Sequence, residues 1–279
     1  MLNLKLQEIV NRLTEKQYDL PILSETFIKF EKLYKEKELD QDIFEVLNII
    51  LNDPLLSLKL LFKISTKRRM AMELEINSMK KALMILGFKE FFEIVFNSSV
   101  MIRNEGFDIL IKRSQYASEK AKRIAIERND VLPEEVQLTT LLADLGELIL
   151  WIYESKVPEE IMNAMMYGRY KRNQEAQLSI CGYRFKDLSY ELAKRWNLPS
   201  TIIKLIENNI EERSVISKIC INLSRHLYEK KGYLAVPDDI KELKKQTFHS
   251  VKELYNLLEI DNNLSEEECI YIKKEIKLI

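Results

Sequence analysis

The sequence predicts an all-α protein, and three observations support that prediction. Only six glycines and six prolines occur among 279 residues, so long stretches contain no residue that interrupts a helix. Apolar residues recur at three- and four-residue spacing, as in Leu55, Leu58, Leu61 and Phe62, which places them on one helix face. No segment has the alternating pattern that indicates a convincing strand. We therefore expect helices that are joined by short turns.

Local signals predict where several helices begin and end. The run Asn52-Asp53-Pro54 places an N-cap candidate before a proline at the first helical position. Asn77 is expected to open a helix that Gly87 ends, because glycine tolerates the left-handed conformation of a helix C-terminus. In the tail, Pro237 marks one helix start and Ser265 marks another, with acidic residues after it at the positive end of the helix dipole. Further helices are expected over about 22–37, 40–51, 88–103, 107–129, 134–152, 158–167, 185–196, 199–209 and 212–230.

The charge balance argues against a nucleic-acid or membrane partner. Forty-three basic and forty-four acidic residues give a net charge of -1, so no overall field attracts polyanions. Two short basic clusters, Lys67-Arg68-Arg69 and Tyr170-Lys171-Arg172, are interpreted as solvated loops rather than as phosphate contacts. With 46% hydrophobic and 31% charged residues, the chain has the composition of a folded domain.

Cysteine usage and the N-terminal residues favour a cytoplasmic protein. Cys181, Cys220 and Cys269 are odd in number and widely spaced, which fits neither a disulfide framework nor a structural zinc site. The first residues lack a basic region followed by an apolar core, and no stretch approaches the ~18 apolar residues of a membrane span. We expect a reducing compartment and no membrane anchor.

Five segments, taken in order, resemble the motifs of one known family. They are Leu20-Pro21, the Asp53-Pro54 turn between two apolar helices, the short helix ending in Leu86-Gly87, the segment Leu141–Glu147, and the run from Leu192 to Pro199 that contains Trp196. Their order and spacing are similar to the HDOD domain, the HD-related output domain of bacterial signalling proteins. This domain is a helical relative of the HD metal-dependent phosphohydrolases, and the resemblance runs from about residue 18 to about residue 225.

The resemblance implies a domain organisation. An HDOD domain is expected over residues 1–225, with an N-terminal helical half at about 1–105 and a pseudo-HD half at about 106–225. Residues 226–279 are expected to form a C-terminal helical extension that packs on it.

The resemblance also implies a metal site that has lost its ligands. Catalytic relatives use a dispersed histidine, a His-Asp pair and a distal aspartate to hold metals that activate water. These positions fall near Arg113, at Ala143 and Asp144, and near Asn222, and a further histidine position falls near Phe185. Only Asp144 remains a strong ligand, because a methyl group at position 143 has no lone pair for a metal. We therefore expect no catalytic residue, no bound metal and no cofactor at this degenerate site.

Two interpretations of Asp144 follow. As a buried carboxylate it could be a structural acid that caps a helix or binds a cation, or it could retain a role in ligand binding. If Arg113 occupies the dispersed-histidine position, its guanidinium group would supply the positive charge of the metal beside Asp144. Asn222 would contribute a hydrogen bond to this ion pair. Lys112 is the alternative source of that charge.

Other candidate residues are interpreted as structural. Trp151 and Trp196 are expected to anchor the core because an indole ring buries a large apolar area. The two histidines of the chain are expected at a partly exposed helical position, His226, and near a helix start, His249. The methionine-rich segment is expected to pack in the core rather than to form a partner surface. Its members are Met162, Met165, Met166 and Tyr167.

The leading functional hypothesis is a non-catalytic regulator of bacterial signal transduction that acts through contacts with signalling proteins. The alternative is a residual metal-dependent phosphohydrolase or nucleotide-binding protein that uses Asp144 with Glu147 or Asp187. A helical adaptor that makes no use of the ancestral pocket is the third hypothesis. The sequence identifies neither the pathway, the partner nor the oligomeric state.

Overall fold

The computed structural model describes residues 4–37, 42–68, 78–128, 130–207, 212–228 and 232–279. Sixteen α-helices and three short 3-10 turns lie within these ranges, which confirms the all-α prediction. In order, the helices are α1 (Leu4–Thr14), α2 (Ser24–Lys37), α3 (Ile43–Ile50), α4 (Pro54–Arg68), α5 (Met79–Phe96), α6 (Glu105–Ala125), α7 (Pro133–Leu141), α8 (Leu145–Tyr153), α9 (Lys156–Met166), α10 (Asn173–Ile180), α11 (Phe185–Arg195), α12 (Ser200–Glu207), α13 (Glu212–Tyr228), α14 (Val236–Gln246), α15 (Val251–Leu257) and α16 (Glu266–Glu275).

The chain divides into two compact units, and each unit combines separated parts of the sequence. Unit 1 contains Met1–Leu110 and Leu142–Glu207. Unit 2 contains Ile111–Leu141 and Asn208–Ile279. These units group residues by contact, so the domain boundary expected near residue 225 stays a prediction.

In unit 1, the buried Asp53 caps α4 and holds the chain segment that precedes α2. Its Oδ1 accepts hydrogen bonds from the N–H groups of Leu55 at 2.8 Å and Leu56 at 3.0 Å. Its Oδ2 accepts from the N–H of Leu23 at 2.9 Å. The N-cap predicted at Asn52-Asp53-Pro54 is confirmed, and the same side chain joins two segments that are 30 residues apart.

Helix α5 contains the break between two helices that the sequence predicts at Gly87. Gly87 has φ of 72° and ψ of 157°, so it interrupts the helix in the region that favours glycine. The helical hydrogen bonding resumes at once and continues to Phe96. The side chain of Ser78 caps the start of α5, whereas Asn77, the expected first residue, lies outside the described residues.

The second half of α5 is shorter than the predicted helix over 88–103. The chain after Phe96 becomes extended, and Val100 forms an isolated parallel bridge with Ile22. The N–H of Ile22 donates to the carbonyl of Ser99 at 2.9 Å, and the N–H of Met101 donates to the carbonyl of Ile22 at 2.8 Å. Because these backbone groups pair with another segment, residues 99–101 cannot continue a helix.

The single helix predicted over 134–152 is wrong, since residues 142–144 form a turn between α7 and α8. Two helices, α1 and α10, were also not predicted. Among the described residues, no helix by itself is long and apolar enough to cross a membrane. Helices α7 and α8 reach that apolar length only as a pair with a bend between them.

Trp196 connects three helical segments of unit 1. Its side chain is buried, and its indole Nε1 donates to the carbonyl of Thr14 at 3.0 Å. Its ring contacts Phe62 edge-on, with the ring centroids 5.0 Å apart. Trp151 is buried as well, against Gly106. The core positions predicted for both tryptophans are confirmed.

The methionine-rich end of α9 is more exposed than the sequence suggested. Met162 and Met165 are partly buried, but Met166 and Tyr167 lie on the surface. The prediction of core packing is therefore wrong for those two residues. The reason is that α9 ends at Met166 and the chain then turns at Gly168, which has φ of 67°.

In unit 2, α6 holds the turn that follows α15. The hydroxyl of Tyr116 donates to the carbonyl of Leu258 at 2.5 Å. The side chain of Lys120 is fully buried, and its Nζ lies 3.0 Å from Oε2 of Glu259. Glu259 has φ of 51°, a left-handed conformation that directs the chain into the next turn. The chain that follows α15 thus supplies the nearer carboxylate for this buried lysine, and Oε2 of Glu119 on α6 lies 3.7 Å away.

Both histidines contact carboxylates within unit 2. Nδ1 of His226, on α13, lies 2.6 Å from Oδ2 of Asp239 on α14. Nδ1 of His249 lies 2.8 Å from Oε2 of Glu127, and His249 directly precedes Ser250, the N-cap of α15. The predicted positions, a partly exposed helical site and a helix start, are confirmed.

Candidate functional site

The expected site residues of unit 1 lie in the turn before α8. Ala143 is partly buried, and its methyl group cannot ligate a metal. Asp144 is also partly buried and occupies the N-cap position of α8, with φ of −93° and ψ of 33°. Its side chain accepts no hydrogen bond from the first turn of α8. Asp144 therefore does not cap α8, and its expected roles as the cap of a neighbouring helix, as a cation ligand or in ligand binding stay predictions.

Gly146 brings α8 into close contact with α11. Its N–H donates to Oγ of Ser189 at 2.7 Å, and that hydroxyl donates to the carbonyl of Phe185 at 3.0 Å. A Cβ on residue 146 would lie 2.8 Å from the backbone nitrogen of Ser189 and nearer still to the carbonyl oxygen of Phe185. Only glycine allows this approach of the two backbones.

Sequence reasoning assigned no role to Gly146. The signal that could have found it is a glycine inside an otherwise continuous apolar helix pattern, which often marks close packing of two backbones.

Phe185 is the first residue of α11, and its ring is buried. Its N–H donates to Oε1 of Gln177 at 2.9 Å, which satisfies the start of the helix. The structure places the backbone of Phe185 against Gly146, two residues after Asp144. Unit 1 therefore brings together three of the expected site positions, and two of them carry side chains with no metal ligand atom.

The other two expected site residues belong to unit 2. Arg113 is buried on α6. Asn222 is exposed on α13, and its amide makes no hydrogen bond to any described residue. The hydrogen bond expected from Asn222 to a buried ion pair is thus contradicted, because an exposed amide is solvated by water. Asn208 and Asn209, where relatives often carry histidine, lie outside the described residues.

The ion pair between Arg113 and Asp144 stays a prediction, and a double-mutant cycle tests it. Arg113→Met and Asp144→Asn, combined, should show a coupling energy of about 1–3 kcal/mol in urea unfolding if the two charges interact. Lys112→Met is the matched control, because Lys112 is exposed on the same helix and should not couple to Asp144. Additive effects of Arg113→Met and Asp144→Asn would show that no such pair exists.

Asp187 and Glu147 are the two carboxylates that the sequence offers as further ligands beside Asp144. Asp187 accepts two hydrogen bonds from the guanidinium of Arg184, both at 2.8 Å. This pairing raises the pKa of Arg184 and engages both oxygens of Asp187. Glu147 is partly buried in the first turn of α8. Within the part of the chain that the structure describes, no three histidine, cysteine, aspartate or glutamate side chains are grouped to hold a metal.

Comparison with known proteins identifies the family. The HDOD domain model matches residues 20–211, which include the Leu-Pro segment, the Asp-Pro turn, Ala143 and Asp144. The chain belongs to the HDOD family. The resemblance inferred from the motifs is therefore confirmed, and the turn at residues 142–144 lies within the HDOD match.

Two solved structures share the HDOD fold with this chain. A virulence factor from Campylobacter jejuni subsp. jejuni is 18% identical, with a TM-score of 0.72 over 95% of this chain and 100% of that chain. The MmoQ response regulator from Methylococcus capsulatus str. Bath is 18% identical, with a TM-score of 0.65 over 86% of this chain and 98% of that chain. A search of the curated proteins finds no significant match.

Proposed function

We propose that this HDOD protein is a non-catalytic regulator of bacterial signal transduction, which acts in the cytoplasm through contacts with other proteins. The observation that carries the proposal is the alanine at position 143, where the motif resemblance expects the histidine of the phosphohydrolases' His-Asp pair. Without that imidazole, Asp144 alone cannot hold a metal that activates water.

The neighbouring residues support the same conclusion. Phe185, near another position where relatives often carry histidine, has a buried ring, and Asp187 is held by Arg184. A carboxylate that accepts two charge-assisted hydrogen bonds must give up at least part of that stabilisation to bind a metal. The fold shared with a response regulator fits a protein that transmits a signal rather than one that turns over a substrate.

The protein is expected to carry no stoichiometric transition metal and to show no phosphodiesterase activity. Metal analysis after mild purification and an assay with a chromogenic phosphodiester measure both properties. Asp144→Ala is the matched variant, and it should change neither metal content nor background hydrolysis. Stoichiometric iron, manganese or zinc, together with turnover that Asp144→Ala abolishes, would establish the phosphohydrolase alternative instead.

A regulator that acts through protein contacts is expected to have a binding partner in its native cell. Recovery of the protein from its native cell after crosslinking, with bound proteins identified by mass, should yield the same signalling protein in independent preparations. Recovery of the chain alone under these conditions would contradict a role that depends on protein contacts.

A further inference from the structure

The turn between α9 and α10 in unit 1 presents apolar and basic side chains together. Met166 is 66% exposed and Tyr167 is 77% exposed. The three cations that follow, Arg169, Lys171 and Arg172, are exposed as well. We refer to residues 166–172 as the basic tip.

The backbone of the basic tip is held in one conformation. Gly168 has φ of 67°, its N–H donates to the carbonyl of Met165 at 3.1 Å, and the N–H of Arg169 donates to the carbonyl of Ala164 at 2.9 Å. This arrangement is a glycine-terminated helix end. The hydroxyl of Tyr170 donates to Oγ of Ser179 on α10 at 2.7 Å, which ties the tip to the next helix. A turn that is already ordered loses little entropy on binding.

Among the described residues, the cations of the basic tip form no ion pairs, whereas some other exposed cations do. Arg184 pairs with Asp187, and Lys35 pairs with Glu31. By contrast, Arg169, Lys171 and Arg172 form no ion pair with any residue in the described ranges. Glu175 is exposed in the first turn of α10, three residues after Arg172, but the two side chains form no salt bridge. The tip therefore carries positive charge that the described protein does not neutralise.

We propose that the basic tip is a docking surface for an acidic segment of a partner protein, one that also carries an apolar side chain. The inference rests on the proposed function, since it specifies the kind of protein contact. Methionine, tyrosine and arginine are enriched in protein interfaces, and tyrosine and arginine are frequent hot spots. Complementary charge on the partner would orient it and speed association, while Met166 and Tyr167 would supply apolar contact.

An acidic protein segment fits this surface better than a nucleic acid does. Tight nucleic-acid binders neutralise roughly 6–10 phosphates, whereas the basic tip offers three cations. Glu175, exposed in the first turn of α10, follows the tip closely in sequence and would repel a backbone with continuous negative charge. A short acidic segment can contact the tip without lying across Glu175.

Fluorescence anisotropy with a labelled glutamate-rich peptide that has one central tryptophan tests the proposal. The full chain is expected to bind this peptide, with affinity that falls as salt is added. A triple variant, Arg169→Gln with Lys171→Gln and Arg172→Gln, should weaken binding at least about tenfold. Tyr167→Ala should weaken it by a similar factor, whereas Tyr167→Phe should retain it.

A matched control separates the tip from general charge. Lys29→Gln with Lys81→Gln and Lys89→Gln removes the same charge from exposed positions on α2 and α5, and it should leave peptide binding unchanged. The proposal is overturned if the wild type does not bind the peptide or if both triple variants lose binding equally. It is also overturned if single-stranded DNA or phosphatidylglycerol vesicles bind the tip more tightly than the peptide does.

Failure of this inference can be told apart from failure of the proposed function. If a signalling partner is recovered equally well by the wild type and the tip variant, the regulatory role stands and the basic tip is not its docking surface. If stoichiometric metal and Asp144-dependent turnover are found instead, the proposed function itself is wrong, whatever the peptide does.

Discussion

Replacing Gly146 with alanine is expected to lower the free energy of unfolding by about 3 kcal/mol or more. The added methyl group would overlap the carbonyl oxygen of Phe185 and lie 2.8 Å from the backbone nitrogen of Ser189. Neither atom belongs to a flexible side chain, so α8 and α11 must move apart. That movement also breaks the 2.7 Å hydrogen bond from the N–H of Gly146 to Ser189. Equilibrium urea unfolding measures the loss.

Two control variants separate the causes of this loss. Gly168→Ala introduces a methyl group with nothing within 4 Å, so its cost, about 1–2 kcal/mol, comes from the positive φ alone. Ser189→Ala removes the hydroxyl partner but adds no atom, and it should cost ~1 kcal/mol. A stability of Gly146→Ala within experimental error of the wild type would show that the helices are not in this close contact.

Truncating Trp196 to alanine is expected to cost ~3–5 kcal/mol. The indole is 3% exposed, meets the ring of Phe62 edge-on and donates to the carbonyl of Thr14. Its removal leaves a cavity among α1, α4 and α11 and breaks the hydrogen bond to the carbonyl of Thr14. The loss should appear in urea unfolding with little change in the slope against denaturant.

Trp196→Phe is the conservative control for this site. It keeps most of the apolar volume and removes the indole N–H, so it should cost ~1–2 kcal/mol. A loss below ~1 kcal/mol for Trp196→Ala, accompanied by loss of partner binding, would instead make Trp196 a recognition residue. That outcome would contradict the packing described for unit 1.

The sequence predicts helices well where local chemistry decides their ends. Short-range patterns predict the cap at Asp53 and the helix start at Ser265, and the structure confirms both, the second with a capping box formed by Ser265 and Glu268. The turn at 142–144 was not predicted, because the apolar pattern continues through it without proline. The early end of α5 was missed for a different reason: it depends on pairing with Ile22, which is distant in sequence.

The candidate site was predictable in composition but not in geometry. The side chains at positions 143 and 185 have no atom that can bind a metal, and the residue identities alone are enough to predict this. The role of Gly146 depends on Ser189, which lies 43 residues away, and no local pattern gives that contact. Asn222 is exposed because it lies on the face of α13 that does not pack in unit 2. Which face packs is known only from the tertiary fold.

The ion pair between Lys120 and Glu259 has a consequence for how HDOD sequences with this tail can vary. Lys120 lies inside the segment matched by the family, whereas Glu259 lies beyond its end at residue 211. Glu119 lies farther from the buried ammonium group, at 3.7 Å, so loss of Glu259 removes the nearer carboxylate and should cost up to ~3–5 kcal/mol. Among relatives that keep these C-terminal helices, substitutions at the two positions should be correlated, and loss of the tail should coincide with loss of the lysine.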